Sequence, residues 1–314
     1  MPKSISPQLA TLVKLPPTGK EWCYEIKYDG FRLLAFINNK TIKLMTRNKN
    51  DWSEKFPAII KQLAKIKTDS AIFDGELVAL DKKGISRFQL LQNAISFEKK
   101  ANIAYYIFDI LYYKGQDLRN LPFTERKSIL KKILAGSTQS LIQQSQVFQG
   151  NPKALLKSAC KKGFEGLIAK KIVSVYEEKR SKTWLKLKCK HEQEFVIAGF
   201  TKPTGKRQYF GSLLIGYFDT KKRLHYAGRV GTGFDQDALK DIYQKMQKLM
   251  INKTAFYQPE NIPEVRNVTW VKPILVGEVE FTEWTEDNRL RHPAFKGVRL
   301  DKKASAVRKE VPTT

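Results

Sequence analysis

The sequence predicts an α+β protein of two domains. Residues 1–192 mix strands with helices, and residues 193–314 form a smaller, strand-dominated domain. Three observations carry this. Residues 22–190 combine strand-like segments with stretches whose apolar residues recur at helical spacing. Composition shifts at Cys189-Lys190-His191-Glu192, beyond which short strands follow closely between Gly-rich turns. The 314 residues, 42% hydrophobic, are enough to bury a core in each part.

Residues 1–20 read as an extended lead-in ending at Pro16-Pro17-Thr18-Gly19. Trp22 to Arg32 reads as a short strand, a Lys-x-Asp-Gly turn and a second strand through Ile37. Such a hairpin presents the Lys27 amine at a strand end. Ile42–Thr46 is a strand. Asp51 to Lys67 is helical, with Phe56, Ile59, Ile60, Leu63 and Ile66 on one face. Ala71–Leu80 is a strand, Phe88–Ile95 a short helix and Ile103–Tyr113 an aromatic strand. Helices follow over Phe123–Leu134 and Pro152–Lys162, the latter capped by Asn151 and stopped by Gly163. Leu167–Lys171 and Thr183–Lys190 are strands. Beyond them Glu194–Phe200, Ser212–Phe218, Leu224–Val230, a segment near Val271 and Leu275–Thr282 are strands, with one helix over Asp237–Met250. Five short strands and a helix fit a small β-barrel of the oligonucleotide-binding type.

Fifty-seven Lys+Arg against 31 Asp+Glu give a net charge of +26, and both halves are basic. A polyanionic partner follows. Nucleic acid outranks membrane, because no apolar span or basic amphipathic anchor occurs. No apolar leader opens the chain, so a cytoplasmic location is expected. Cys23, Cys160 and Cys189 are widely spaced and read as reduced thiols, and the three histidines form no zinc pattern.

Four further stretches carry chemistry. In Phe73-Asp74-Gly75-Glu76-Leu77-Val78 alternation puts Asp74 and Glu76 on one strand face, where two acids need a cation or a metal. Tyr105-Tyr106-Ile107-Phe108-Asp109-Ile110-Leu111 is dense in aromatics, any one of which either packs in the core or stacks on a base. Phe164-Glu165-Gly166-Leu167-Ile168-Ala169-Lys170 leads one acid into a buried strand, with glycines that permit close approach of a ligand. In Trp184-Leu185-Lys186-Leu187-Lys188 period two aims Lys186 and Lys188 at one side, as a phosphate requires.

Taken in order, Glu-x-Lys-Tyr-Asp-Gly, Asp-Gly-Glu-Leu-Val, Tyr-x-x-Phe-Asp-Ile-Leu, Glu-Gly-Leu-Ile-Ala-Lys and Trp-Leu-Lys-Leu-Lys resemble motifs I, III, IIIa, IV and V of the covalent nucleotidyltransferases. The opening Leu9–Val13 with Pro16-Pro17, Tyr226–Phe234 and Arg291–Lys302 narrow the resemblance to the ATP-dependent DNA ligase domain of bacterial end-joining ligase D. The resemblance implies an ATP-grasp-like nucleotidyltransferase domain of antiparallel sheets and helices, followed by an OB-fold barrel. It also implies sealing of 5′-phosphate/3′-hydroxyl nicks in double-stranded DNA with ATP and Mg²⁺ or Mn²⁺, by a monomer, with a Ku-type end-binding protein as a possible partner.

By the same resemblance Lys27 is the nucleophile that becomes lysyl-AMP, its charged form disfavoured by nearby cations. Glu76 and Glu165 contact the ribose and hold the metal. Phe108 stacks on adenine, Glu25 lies beside the adenine edge, and Lys186 and Lys188 hold the α-phosphate. Arg32 and Arg47 contact AMP or the 5′-phosphate of the nick. Arg299 and Lys302 of motif VI orient the pyrophosphate before the barrel swings about a hinge at Lys190–Glu192. Lys206 and Arg207 lie in a candidate DNA-contact loop. Lys49 and Asn50 depart from the glycine usual before the acid of motif Ia, with a small effect on DNA contact expected. With no helical DNA-binding, polymerase or phosphoesterase domain in this sequence, its own two domains are expected to grip DNA. The alternatives are an RNA ligase or capping-type nucleotidyltransferase, and a non-catalytic basic nucleic-acid-binding protein.

Overall fold

The computed structural model describes residues 1–135, 141–205, 207–263 and 267–311. The chain divides into two compact units, Met1–Cys189 with the C-terminal Val311, and Lys190–Glu310. The first mixes strands with helices and the second is strand-dominated with one α-helix among its described residues, as the sequence predicts.

In the first unit the described strands are β1 (Leu9–Leu12), β2 (Trp22–Lys27), β3 (Phe31–Asn38), β4 (Thr41–Thr46), β5 (Ser70–Leu80), β6 (Asn102–Tyr113), β7 (Gln116–Asp117), β8 (Ile142–Gln144), β9 (Gly166–Lys171) and β10 (Arg180–Lys188). The helices are α1 (Pro57–Leu63), α2 (Phe88–Phe97), α3 (Phe123–Ala135) and α4 (Pro152–Lys162). Four strands form a sheet in the order β1-β10-β9-β2, and the others a sheet in the order β4-β3-β5-β6-β7 with β8 on β6.

The Lys27 turn is therefore not a hairpin. β2 pairs with β9, whereas β3 pairs with β4 and β5, so residues 28–30 carry the chain from one sheet to the other. Gly30 makes the crossing possible: a Cβ there would lie 2.1 Å from the Leu77 carbonyl oxygen. Asp29 fastens it, its amide donating to Ser86 Oγ (3.0 Å) and its carboxylate accepting from the Phe88 amide (3.1 Å).

Pro57 shortens the helix expected over Asp51–Lys67. Proline fits the first helical turn but disfavours helix at the residue before it, so α1 starts at Pro57 and a single 3-10 turn, Ser53–Lys55, precedes it. α4 has the predicted ends: Asn151 Oδ1 accepts from the Lys153 and Ala154 amides, and Gly163 closes it at φ +86°. The lead-in contains a strand after all, β1 running parallel to β10, too short to show a period. Lys49 takes the left-handed conformation (φ +64°) in the turn after β4, which is where a glycine sits without strain.

The outer face of the second sheet packs Phe31, Leu33, Leu77, Tyr105 and Ile107 against Ile59, Leu63 and Leu91 of the helices. The back of the first sheet packs Trp22, Tyr24, Leu167, Ala169 and Leu187 against Leu155, Leu156 and Ala159 of α4. A third cluster joins the inner faces of both sheets through Leu34, Ile72, Phe108, Tyr176 and Trp184.

The cysteines correct the sequence reading. Cys160 and Cys189 are joined in a disulfide, and only Cys23 is a free thiol. Packing α4 on the back of the sheet brings its last turn to the end of β10, Cα to Cα 5.3 Å, across a separation of 29 residues that no sequence period reveals. Loop-closure entropy puts the stabilisation at about 3–4 kcal/mol. Dithiol reduction should therefore lower the midpoint of urea unfolding, and a Cys160→Ser variant should show the low midpoint without reductant.

In the second unit β11 (His191–Thr201), β12 (Leu213–Phe218), β13 (Leu224–Val230), β14 (Met250–Ile251), β15 (Val268–Phe281) and β18 (Ala294–Val298) form one antiparallel sheet, beside the two-residue strands β16 (Glu283–Trp284) and β17 (Leu290–Arg291). The two strands expected around Val271 and Leu275–Thr282 are one bent strand, β15, whose pairing with β11 skips from Trp270 to Leu275 around Pro273. Helix α5 (Gln236–Gln247) starts at Asp235, whose carboxylate accepts from the Ala238 amide (2.8 Å), and lays Leu239, Ile242 and Met246 on the core. No helix among the described residues is long and apolar enough to cross a membrane.

Candidate active site

Pairing fixes the site as a lattice. Across the first sheet Lys27 is opposite Gly166, and Gly166 opposite Lys188. The next row is Glu25, Ile168 and Lys186, and the next Cys23, Lys170 and Trp184. Residues directly opposite, or two apart along a strand, share a face, so the eight side chains around Gly166 project from one face of the sheet. The Lys27 and Lys188 backbones stand two strand spacings apart, about 10 Å. Gly166 leaves the space between them open, and its backbone runs so close to β10 that a Cβ would lie 1.9 Å from the Leu187 carbonyl oxygen. The face seen in the Trp184–Lys188 period thus holds Lys27 as well.

Lys27, part-buried at the end of β2, forms an ion pair with Glu165 Oε1. Lys27 thus meets a carboxylate, a contact that the sequence reading did not include. The Glu165 side chain is only 5% exposed, and the residue's carbonyl accepts from the Cys189 amide (2.9 Å). Asp29, which the sequence reading left unassigned, brings a carboxylate oxygen within 4.8 Å of Glu165. Glu76 lies on the other sheet, opposite Arg32 and Tyr106 in register.

The aromatic strand β6 bulges at the site. Its register on β5 jumps from Asp109 to Ile107 and leaves Phe108 between the two pairs, its ring edge-on to Trp184 at 6.1 Å. The Arg32 guanidinium stands 4.4 Å from the Phe108 centroid. Arg32 is bidentate to Asp74 (Nε and Nη2 both 2.5 Å), the cation that Asp74 was expected to need. Tyr176 donates to the same carboxylate (2.6 Å) and accepts from the Gln8 amide (2.9 Å).

Beneath this layer lies a buried charge cluster. The Glu25 carboxylate, 2% exposed, takes Lys127 Nζ on Oε1 (2.5 Å) and Lys170 Nζ on Oε2 (2.6 Å). The Lys170 ammonium lies 4.0, 4.6 and 4.7 Å from the Trp184, Phe108 and Phe123 ring centres. Burial pushes its pKa down, against the pull of Glu25 and aided by Lys127. Burial, then the Glu25 charge, pushes the Cys23 thiol up to about 11, which leaves it a poor nucleophile at neutral pH.

Lys127 and its neighbour Arg126 were missed, although α3 carried the signal. Phe123 and Leu130 set an inward stripe, and Arg126 and Lys127 occupy its i+3 and i+4 positions.

In the second unit Arg299 donates to Glu278 (2.9 Å) and Asp301 (2.9 and 2.8 Å), and Lys302 to Glu194 (3.0 Å). Glu194 and Glu278 are directly opposed on β11 and β15, so the two cations offset a like-charge pair. Arg207 donates to the Gly231 carbonyl (2.5 Å) and lies 5.4 Å from the Phe234 ring centre, while Phe210 is wholly buried. Lys206 lies outside the described residues. Arg47 is half-buried just after β4.

Comparison with known proteins identifies the family. Residues 7–188 match the model of the ATP dependent DNA ligase domain, and residues 206–302 that of the ATP dependent DNA ligase C terminal region. The chain belongs to the ATP-dependent DNA ligase family. It is 41% identical over 314 residues to the multifunctional non-homologous end joining protein LigD of Pseudomonas aeruginosa, covering 99% of this chain and 37% of that protein. The chain thus spans little more than a third of that relative's length. Among solved structures it resembles a mycobacterial DNA ligase D complexed with ATP and MES, with a TM-score of 0.73 and 31% identity over 98% of both chains. The ligase domain of Mycobacterium tuberculosis LigD matches at a TM-score of 0.55 and 30% identity, again over 98% of both chains. The ligase fold and the catalytic class read from the motifs are therefore those of this chain.

Proposed function

We propose that this ligase seals 5′-phosphate/3′-hydroxyl nicks in double-stranded DNA through a lysyl-AMP formed at Lys27. The observation that carries the reading is the shared row of Lys27, Gly166 and Lys188, beside the Lys186 row, which gathers an amine and two cations on one open sheet face. The Lys27 nitrogen attacks the α-phosphorus of ATP, forming an N–P bond as pyrophosphate leaves. The DNA 5′-phosphate then takes the AMP, and the 3′-hydroxyl displaces it to close the backbone. Lys186 and Lys188 neutralise charge on the phosphate oxygens. Lys27 attacks as the neutral amine, and the cations gathered beside it disfavour its ammonium form, so its proton is lost before attack. Phe108 supplies a face for adenine, Glu25 an acceptor at its edge, and Glu76 a contact to the ribose. Arg32 and Arg47 serve the AMP or the nick phosphate, Arg299 and Lys302 the pyrophosphate, and Lys206 and Arg207 the DNA.

Asp29 and Glu165 fit a divalent cation of the Mg²⁺ or Mn²⁺ type, since both offer carboxylate oxygens within 4.8 Å of each other beside Lys27. Such an ion supplies charge stabilisation at the α-phosphate. The relatives' names support a place in end joining, with a Ku-type partner, a monomeric state and a cytoplasmic site of action as expectations of the same reading. We take residues 1–192 and 193–314 as the adenylylation and OB-fold domains. The test is a nicked duplex with a labelled 5′-phosphate, incubated with ATP and Mg²⁺. Sealing that requires both supports the reading, and a label still open to phosphatase contradicts it.

A further inference from the structure

Lys127 belongs to none of the motifs, yet it reaches two parts of the site at once. From α3 its Nζ donates to Glu25 Oε1 (2.5 Å) and lies 3.4 Å from the carbonyl oxygen of Phe108. Its neighbour Arg126 grips the next residue of that strand, donating to both Asp109 oxygens at 2.8 Å. One turn of α3 thus ties down the β6 bulge from which the Phe108 ring emerges. On the other side Lys170 Nζ stands 2.6 Å from Glu25 Oε2 as an ion pair. Lys127 alone of the two also reaches the backbone carbonyl of Phe108, so it couples the carboxylate to the bulge.

We propose that Lys127 is a positioning residue for nucleobase selection, setting at once the direction of the Glu25 carboxylate and the backbone beneath Phe108. The inference rests on the proposed roles of Glu25 at the adenine edge and of Phe108 in stacking. A carboxylate accepts and does not donate, and Lys127 and Lys170 engage one oxygen each, so only the remaining lone pairs face a base. The matching base edge carries an amino group, as adenine does at C6. A 6-oxo purine would set acceptor against acceptor, and a site built to hydrogen-bond an amino group discriminates strongly against an analogue that lacks it.

The test uses the full chain, stripped of any bound AMP with pyrophosphate, and initial rates of covalent labelling with α-labelled ATP and α-labelled ITP. Lys127→Met keeps the length and apolar stem of the side chain and removes the ammonium. It should raise KM for ATP about tenfold and narrow the ATP-over-ITP preference about tenfold, the scale of one lost oriented hydrogen bond, with kcat changed less than about threefold. Lys127→Arg should restore the preference. A merely structural role predicts a lower melting temperature with KM and preference unmoved, and that result overturns the inference. Should Lys127→Met not fold, Lys127→Gln is read by the same two numbers. Wild type that labels, with unmoved numbers in the variant, rejects only the role of Lys127. Wild type that takes no label rejects the ligase reading as well.

Discussion

Arg126→Met should cost the first unit about 3–5 kcal/mol, because it strands a charge where no water can reach it. Arg126 and Asp109 are both 0% exposed, joined by two bonds of 2.8 Å. Arg126 also caps the carbonyls of Leu121 (2.5 Å) and Ser174 (3.0 Å). Removing the guanidinium leaves the Asp109 carboxylate without its countercharge, with the Ile110 amide still donating to Oδ1 (2.9 Å), and takes a donor from two buried carbonyls, each of which adds to the cost. Domains of this size are typically stable by about 5–15 kcal/mol, so the variant approaches the unfolding threshold at 37 °C. Urea unfolding followed by tryptophan fluorescence reads this directly. The double variant Arg126→Met with Asp109→Leu should recover much of the loss, since a buried pair is often replaceable by apolar residues of similar volume. A single variant within about 1 kcal/mol of wild type would mean that the pair is not buried as described.

Lys27→Ala should abolish ATP-dependent sealing, by at least about 10³-fold, as expected when a covalent nucleophile is removed. The same variant should still seal a nick whose 5′-phosphate already carries AMP, within about tenfold of wild type. In that last step the 3′-hydroxyl forms the new O–P bond and AMP leaves with the electron pair, so no lysine nitrogen is consumed. Loss of both activities would point to Lys27 acting through charge or structure rather than as the nucleophile. The contrast between the two substrates separates these roles without reference to expression or folding.

Much of the site is legible in the chain because its residues lie on strands, where period two fixes the face. Lys186 and Lys188 share a face by spacing alone, and the pairing adds Lys27 and Glu25 to that face. What spacing cannot supply is the partner strand. β2 and β3 are adjacent in sequence and look like a hairpin, but Gly30 lets the chain pass the Leu77 carbonyl and enter another sheet. Asp29 gains its place beside Glu165 from that crossing, which is why the reading of metal ligands from Glu76 and Glu165 omitted it. The Cys160–Cys189 disulfide and the Arg126–Asp109 pair were hidden for the same reason: each joins elements whose meeting depends on tertiary packing. Arg299 and Lys302 were named from motif resemblance, while their partners Glu278, Asp301 and Glu194 follow only from the pairing of β11 with β15.

The central claim is a covalent nucleotide on Lys27, and one denaturing gel tests it. Wild type and Lys27→Ala, first treated with pyrophosphate to remove resident AMP, are incubated with α-labelled ATP and Mg²⁺. Label should survive denaturation on wild type, be absent from Lys27→Ala, and be discharged when nicked DNA is added. Stripped wild type without label, or a Lys27→Ala chain that carries it, would contradict the account.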